Sequence, residues 1–158
     1  MRRILVQIDQ IDARMLALLQ KNNRLTFDEI GNSVGLSPTA VQRRLKKLRE
    51  NGIIESDVSI VSPKAVGRPI AMVVAVTLER ERADIVDRFK QAIRSAPQIM
   101  SGYYVTGEAD FVLVITAKDM DDYDNFTRRF FYDNPDIKAF KTSVVIDRIK
   151  AGFEIPID

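Results

Sequence analysis

Arg43, Arg44, Lys46, Lys47 and Arg49 fall within residues 37–49, a segment that holds no acid. Ser37, Thr39 and Gln42 lie among them. These side chains suit the edges and backbone of a double helix. A guanidinium donates two hydrogen bonds to guanine, and a carboxamide both donates to and accepts from adenine. A threonine methyl can meet the methyl of thymine, and an ammonium neutralises a phosphate. Thr39, Gln42, Arg43 and Lys46 share one outward face, with Gln42 and Arg43 suited to bases. Arg44, Lys47 and Arg49 are better placed for phosphates or for clamping neighbouring helices. A basic run can also be no more than a solvated helix face, so the reading depends on the elements that carry it.

Other chemistries find little support. The chain has no cysteine and no histidine, which removes thiolate chemistry, the commonest metal ligand and the commonest general base. Gly67, Gly102 and Gly107 are isolated and form no phosphate-binding loop. The serines have no histidine partner. Asp119, Asp121, Asp122 and Asp124 lack calcium-loop spacing and sit where acids favour a helix start. The expectation is a protein that is no enzyme and needs no cofactor or metal. No stretch approaches about 18 apolar residues, the length that crosses a bilayer. Met1–Gln7 lacks the apolar core of a signal peptide. A cytoplasmic, nucleoid-associated protein without membrane contact is therefore expected.

The basic run sits in a helical context. Residues 1–60 carry 10 Lys/Arg against 7 Asp/Glu, whereas residues 61–158 carry 14 against 15. A first helix carries Met15, Leu16, Leu18 and Leu19, with Asp9 or Asp12 as cap. Thr26 and Glu29 have the spacing of a capping box and open a second helix with Phe27, Ile30 and Val34 inward. Gly35 closes it in a left-handed conformation. Ser37 and Pro38 open a third helix whose buried stripe is Val41, Leu45 and Leu48. Two helices around a tight glycine corner make a helix-turn-helix, whose second helix enters the major groove with its N-terminal residues leading.

Residues 55–69 change character. Asp57–Val61 alternates weakly and could be one strand, and Pro63, Gly67 and Pro69 punctuate the rest. The domains expected are 1–54 (helix-turn-helix), 55–69 (a linker with a short strand) and 70–158. Within the last, Ile70–Leu78, Ile99–Thr106, Phe111–Thr116 and Ile137–Ile149 fit strands. Ala83–Ser95 and Met120–Phe131 fit helices, the second packing Tyr123, Phe126 and Phe130, with Phe131 as a further candidate. Strand, helix, strand, strand, helix, strand is the ferredoxin-like arrangement, and the fold class is α+β. Its helices cover one sheet face. The other face carries apolar residues too, so a second copy is expected to cover it. Gly107–Asp110 turns between the middle strands, with Gly107 at positive φ.

Several stretches together resemble the Lrp/AsnC (leucine-responsive/asparagine-synthetase regulator, feast/famine) family of transcriptional regulators. They are Ile8-Asp9-Gln10-Ile11-Asp12, Leu19–Arg24, Gly35-Leu36-Ser37 and Arg44–Ile54, joined in the second half by Tyr104–Phe111. The likeness spans nearly the whole chain, in the same order. It departs at Glu55-Ser56-Asp57, where the family often has glycine and an aromatic, and at Asn22-Asn23. The resemblance implies a winged-helix-like helix-turn-helix domain and an effector-sensing, oligomerising ferredoxin-like domain. The partners it implies are double-stranded DNA, further copies of the chain (dimer, then tetramer or octamer) and an amino-acid effector. Ser37, Thr39, Gln42, Arg43 and Arg44 match DNA-contacting positions, and Lys46 and Lys47 join them on the basic helix. Tyr104, Thr106, Gly107, Glu108 and Asp110, with Thr142 and Ser143 across an interface, match the sensing region. The expected function is a DNA-binding regulator whose assembly and DNA affinity respond to an effector. The alternative is a chromosome-compacting protein whose second domain only assembles.

Overall fold

The computed structural model describes residues 8–150 and 152–157. Met1–Gln7, assessed above as a potential signal, lies outside them. Two compact units emerge, one of Met1–Ser59 with Lys150–Asp158 and the other of Ile60–Ile149.

In the first unit, α1 (Gln10–Lys21), α2 (Phe27–Val34) and α3 (Pro38–Glu50) begin where their capping residues stand. Asp9 caps α1 and forms a reciprocal box with Asp12. Thr26 and Glu29 do the same for α2. Ser37 accepts from the Ala40 amide at the start of α3, and Pro38 fills the first turn, where no N–H is needed. Gly35, at φ 75°, supplies the corner. Met15, Leu16, Ile30, Val34, Val41, Leu45 and Leu48 form the core between the helices. Removing each such side chain from water stabilises the unit by roughly 1.5–3 kcal/mol before entropy is counted.

In the second unit, β1 (Ile70–Leu78), α4 (Ala83–Ser95), β2 (Ile99–Tyr104), β3 (Phe111–Ala117), α5 (Met120–Thr127) and β4 (Ile137–Val144) follow in the expected order. The strands are antiparallel, in the order β2-β3-β1-β4. Met72, Val74, Val76 and Leu78 of β1 pack with Phe111, Leu113 and Ile115 of β3. Ile85, Val86 and Phe89 of α4 and Tyr123, Phe126 and Phe131 complete this core. The opposite face carries two rungs across all four strands. They are Tyr103, Val112, Ala75 and Lys141, and Ser101, Val114, Val73 and Ser143.

Three expectations need correction. Asp57–Val61 is not a strand: among the described residues no neighbouring strand takes up its backbone groups, and Val58, Ile60 and Val61 are exposed. A three-residue 3-10 turn, Lys64–Val66, is the regular element of that linker. The last strand stops at Val144 rather than Ile149, and Lys150–Asp158 group with the first compact unit. Finally, α5 widens after Thr127 into a π-helical turn, Arg128–Tyr132. That shift buries Phe131 fully and leaves Phe130 partly buried beside it.

Candidate nucleic-acid interface and effector hairpin

The N-terminal unit presents α3 as a basic helix with divided duties. Val41, Leu45 and Leu48 are buried, while Ser37, Thr39, Gln42, Arg43, Lys46 and Lys47 are exposed. Arg44 alone among the expected DNA residues is turned inward. One guanidinium nitrogen donates to Asp9 at 2.6 Å and to Asp12 at 2.9 Å, tying α3 to the start of α1. These ion pairs hold Arg44 charged, with its pKa raised first by the bond to Asp9. The Asp9 carboxyl is held below its usual range, first by the Asp12 amide and then by Arg44. Arg49 reaches Asp57 at 2.9 Å, and Lys46 lies 3.7 Å from Glu50. Among the described residues, Thr39, Gln42, Arg43 and Lys47 engage no protein partner through their side chains and keep their capacity for a ligand. The N-terminal end of α3 adds a positive helix dipole next to Ser37.

Gly31 also shapes this surface, and sequence reasoning missed it. A Cβ there would lie 2.4 Å from the Leu36 carbonyl oxygen, which accepts no such crowding. The corner between α2 and α3 closes because that position has no side chain. The available signal was its place one turn before Gly35, which a helix-propensity reading treats only as a weakness.

In the second unit the hairpin joins β2 to β3. Gly107 has φ 136°, as its turn role required. Thr106, Gly107 and Glu108 are exposed. Asp110 is buried and structural in its contacts: its carboxylate accepts from the Leu78 amide at 2.6 Å, and its own amide donates to the Val76 carbonyl at 2.9 Å. Glu81, which sequence spacing gave no reason to select, stands beside it. A hydrogen bond with Asp110 is the main cause holding the Glu81 carboxyl above its usual range.

The remaining sensing candidates divide between the sheet faces. Tyr104 belongs to the helix-side rung with Phe111, Val76 and Phe140. Its ring lies 4.9 Å from that of Phe111, with the Lys90 ammonium 4.8 Å from its centre. Thr142 also faces the helices, hydrogen-bonded at 2.6 Å to the Tyr123 hydroxyl. Burial pushes that phenol's pKa up. Ser143 is exposed on the opposite face, on the rung with Val73. Within one chain, then, the structure brings together Thr106, Gly107, Glu108 and Asp110, and it does not bring Thr142 and Ser143 to them. The acidic run is occupied as its helix-start position suggests. Asp119 caps α5, Asp122 takes the Lys118 amide and Arg68, and Asp124 pairs with Arg128. Among the described residues no group of three acids forms a metal cluster, and no helix is long and apolar enough to cross a membrane.

Comparison with known proteins agrees with both units. A family profile described as winged helix-turn-helix DNA-binding matches residues 8–55, and one described as Lrp/AsnC ligand binding domain matches residues 71–155. An uncharacterized HTH-type transcriptional regulator of Sinorhizobium fredii is 65% identical, over 97% of this chain and 90% of that protein. The transcriptional regulator AzlB of Bacillus subtilis is 32% identical, over 97% of this chain and 98% of its own. Among solved structures, a Neisseria meningitidis transcriptional regulator in complex with L-methionine superposes with a TM-score of 0.90. It is 29% identical, with 96% of this chain and 98% of that one covered. An AsnC family regulator of Agrobacterium tumefaciens gives a TM-score of 0.87 at 26% identity, covering 94% and 96%. The chain therefore belongs to the Lrp/AsnC family of helix-turn-helix transcriptional regulators, proteins that bind DNA rather than catalyse a reaction.

Proposed function

We propose that this regulator reads its operator with Thr39, Gln42 and Arg43 of α3, Lys46 and Lys47 meeting phosphates, and that its DNA binding responds to an amino acid or a related small molecule. The observation that carries the effector half is the hairpin. Gly107 turns at φ 136° between the exposed Thr106 and Glu108, and two carboxyls, Glu81 and Asp110, interact closely enough that Asp110 raises the Glu81 pKa. Amides and a hydroxyl suit a carboxylate, while an acid pair suits an ammonium. The likeness to a regulator solved with L-methionine supports the same ligand class. Assembly follows from the open sheet face. Val73, Val112 and Val114 are uncovered by the chain's own helices, and a second copy buries them most simply. Dimers then stack into tetramers or octamers on chromosomal DNA in the cytoplasm, and no cofactor is required.

The ligand's ammonium interacts best with ionised carboxylates. Affinity should therefore rise as pH climbs through the raised pKa of Glu81, because the protonated pair attracts it less. A thermal-shift screen against the twenty amino acids, followed by calorimetry, tests the proposal. One or a few amino acids should raise the melting temperature, and Glu81→Gln, which alters an exposed member of the acid pair, should weaken that hit by roughly tenfold, the size of one charge-assisted hydrogen bond. No response to any amino acid would remove the sensing role and favour the compacting one.

A further inference from the structure

Past Ile149 the chain returns to the N-terminal unit, so the sheet unit is bracketed by two segments that both belong with the helices. The returning segment is held by a specific grip. The Gln20 side chain on α1 donates from Nε2 to the Ile155 carbonyl at 3.0 Å, and its Oε1 accepts from the Ile155 amide at 2.8 Å. A carboxamide that satisfies both polar groups of one residue imitates a neighbouring strand, and it recognises extended backbone whatever the side chain. Pro156 follows, with φ restricted and no N–H to satisfy. Ile157 then packs against the core that α1 shares with α2 and α3, where Ile11, Leu18 and Leu19 also lie. It borders a groove of about 350 Å³ with Ala13 and Ala17, whose small side chains leave room along α1.

We infer that residues 153–157 are a strap whose docking on α1 keeps the DNA-binding helices in their binding-ready arrangement. The link to the DNA surface is short. α1 holds α3 through Asp9 and Asp12 on Arg44, and it holds the end of α2 through the 2.6 Å bond from Arg14 to the Ser33 carbonyl. A strap that steadies α1 steadies both. The sheet unit is tied to the helices through the strap as well as through residues 55–69, so the strap is a second route by which the sheet unit can influence DNA affinity. The inference concerns DNA binding with no small molecule present and stands apart from the effector proposal.

Full-length protein tests it, assayed without amino acids on a duplex selected in vitro from a random library. Two variants are compared with wild type: Gln20→Ala, and a chain ending at Gly152. Hydrogen exchange followed by mass spectrometry reads the Ile155 amide and the amides of α1, and band-shift titration reads affinity. Gln20→Ala should expose the Ile155 amide, accelerate exchange across α1 and weaken DNA binding by about three- to tenfold, the worth of one to two exposed hydrogen bonds. The shortened chain should show the same α1 and DNA effects. Should shortening disturb folding, Gln20→Ala decides alone, because the altered side chain is partly exposed and belongs to α1, not to the α3 residues assigned to DNA. Wild-type affinity in Gln20→Ala despite a released Ile155 amide overturns the inference, as does an Ile155 amide that exchanges freely in the wild type.

Discussion

Arg43 and Arg44 are adjacent in sequence and have different duties. Arg43 stands exposed on the outer face of α3, whereas Arg44 is drawn onto Asp9 and Asp12. We therefore propose base reading for Arg43 and positioning for Arg44. Arg43→Ala should lose roughly 1–3 kcal/mol on the selected operator and little on random DNA. Lys47→Ala should weaken both duplexes alike and reduce the slope of log affinity against log salt by about one. Band shifts at two salt concentrations separate these outcomes, and equal losses on both duplexes for Arg43→Ala would remove its base-reading role. Much of this division was legible in sequence, because the i, i+4, i+7 stripe of Val41, Leu45 and Leu48 fixes which side of α3 is buried. The partner of Arg44 was not, since nothing local pairs residue 44 with residues 9 and 12. Asp110 teaches the same lesson: its spacing suggests a turn or a ligand, but its bond to Leu78 depends on the β1–β3 register.

Helix starts were the most legible elements, since Asp9, Thr26 and Ser37 each satisfy orphan amides with a side chain next to them in sequence. Elements whose form depends on distant neighbours were not legible. Asp57–Val61 has a strand's alternation and no strand beside it, and the π-helical turn that selects Phe131 over Phe130 has no marker in a helical period. The α1–α3 contact gives a prediction at this scale. The folded state lowers the pKa of Asp9, first through the Asp12 amide and then through Arg44, so the stabilising effect of both is complete above the ordinary carboxylate value and is lost as pH falls through the lowered one. Arg44→Ala should melt earlier than wild type at neutral pH, by an amount that shrinks as the solution is acidified through that range. Circular dichroism melts at a series of pH values measure it. A difference that stays constant into acid would mean that Arg44 acts by packing and not through its carboxylates.

On the scale of the whole molecule, the sheet unit offers one covered face and one open one. Sequence showed that both faces carry apolar residues, but a single chain's sequence does not show what lies against the second. We propose that another copy lies there. Val114→Asp sets a carboxylate in the middle of the open face, and two-fold pairing would place it in both partners at once. That cost of several kcal/mol, from burying unpaired charge, should convert micromolar dimers to monomers in light scattering. A dimer of undiminished stability would show that assembly uses another surface. A two-fold dimer of this kind would require half-sites about one helical turn, or a multiple, apart. Footprinting the full-length protein on its selected operator, with and without the amino acid that gives the largest thermal shift, separates an effector-responsive regulator from a compacting protein. A responsive regulator gives discrete, symmetric protections at helical-turn spacing whose strength or extent changes with the amino acid, whereas uniform protection of any duplex, indifferent to every amino acid, would rule that role out.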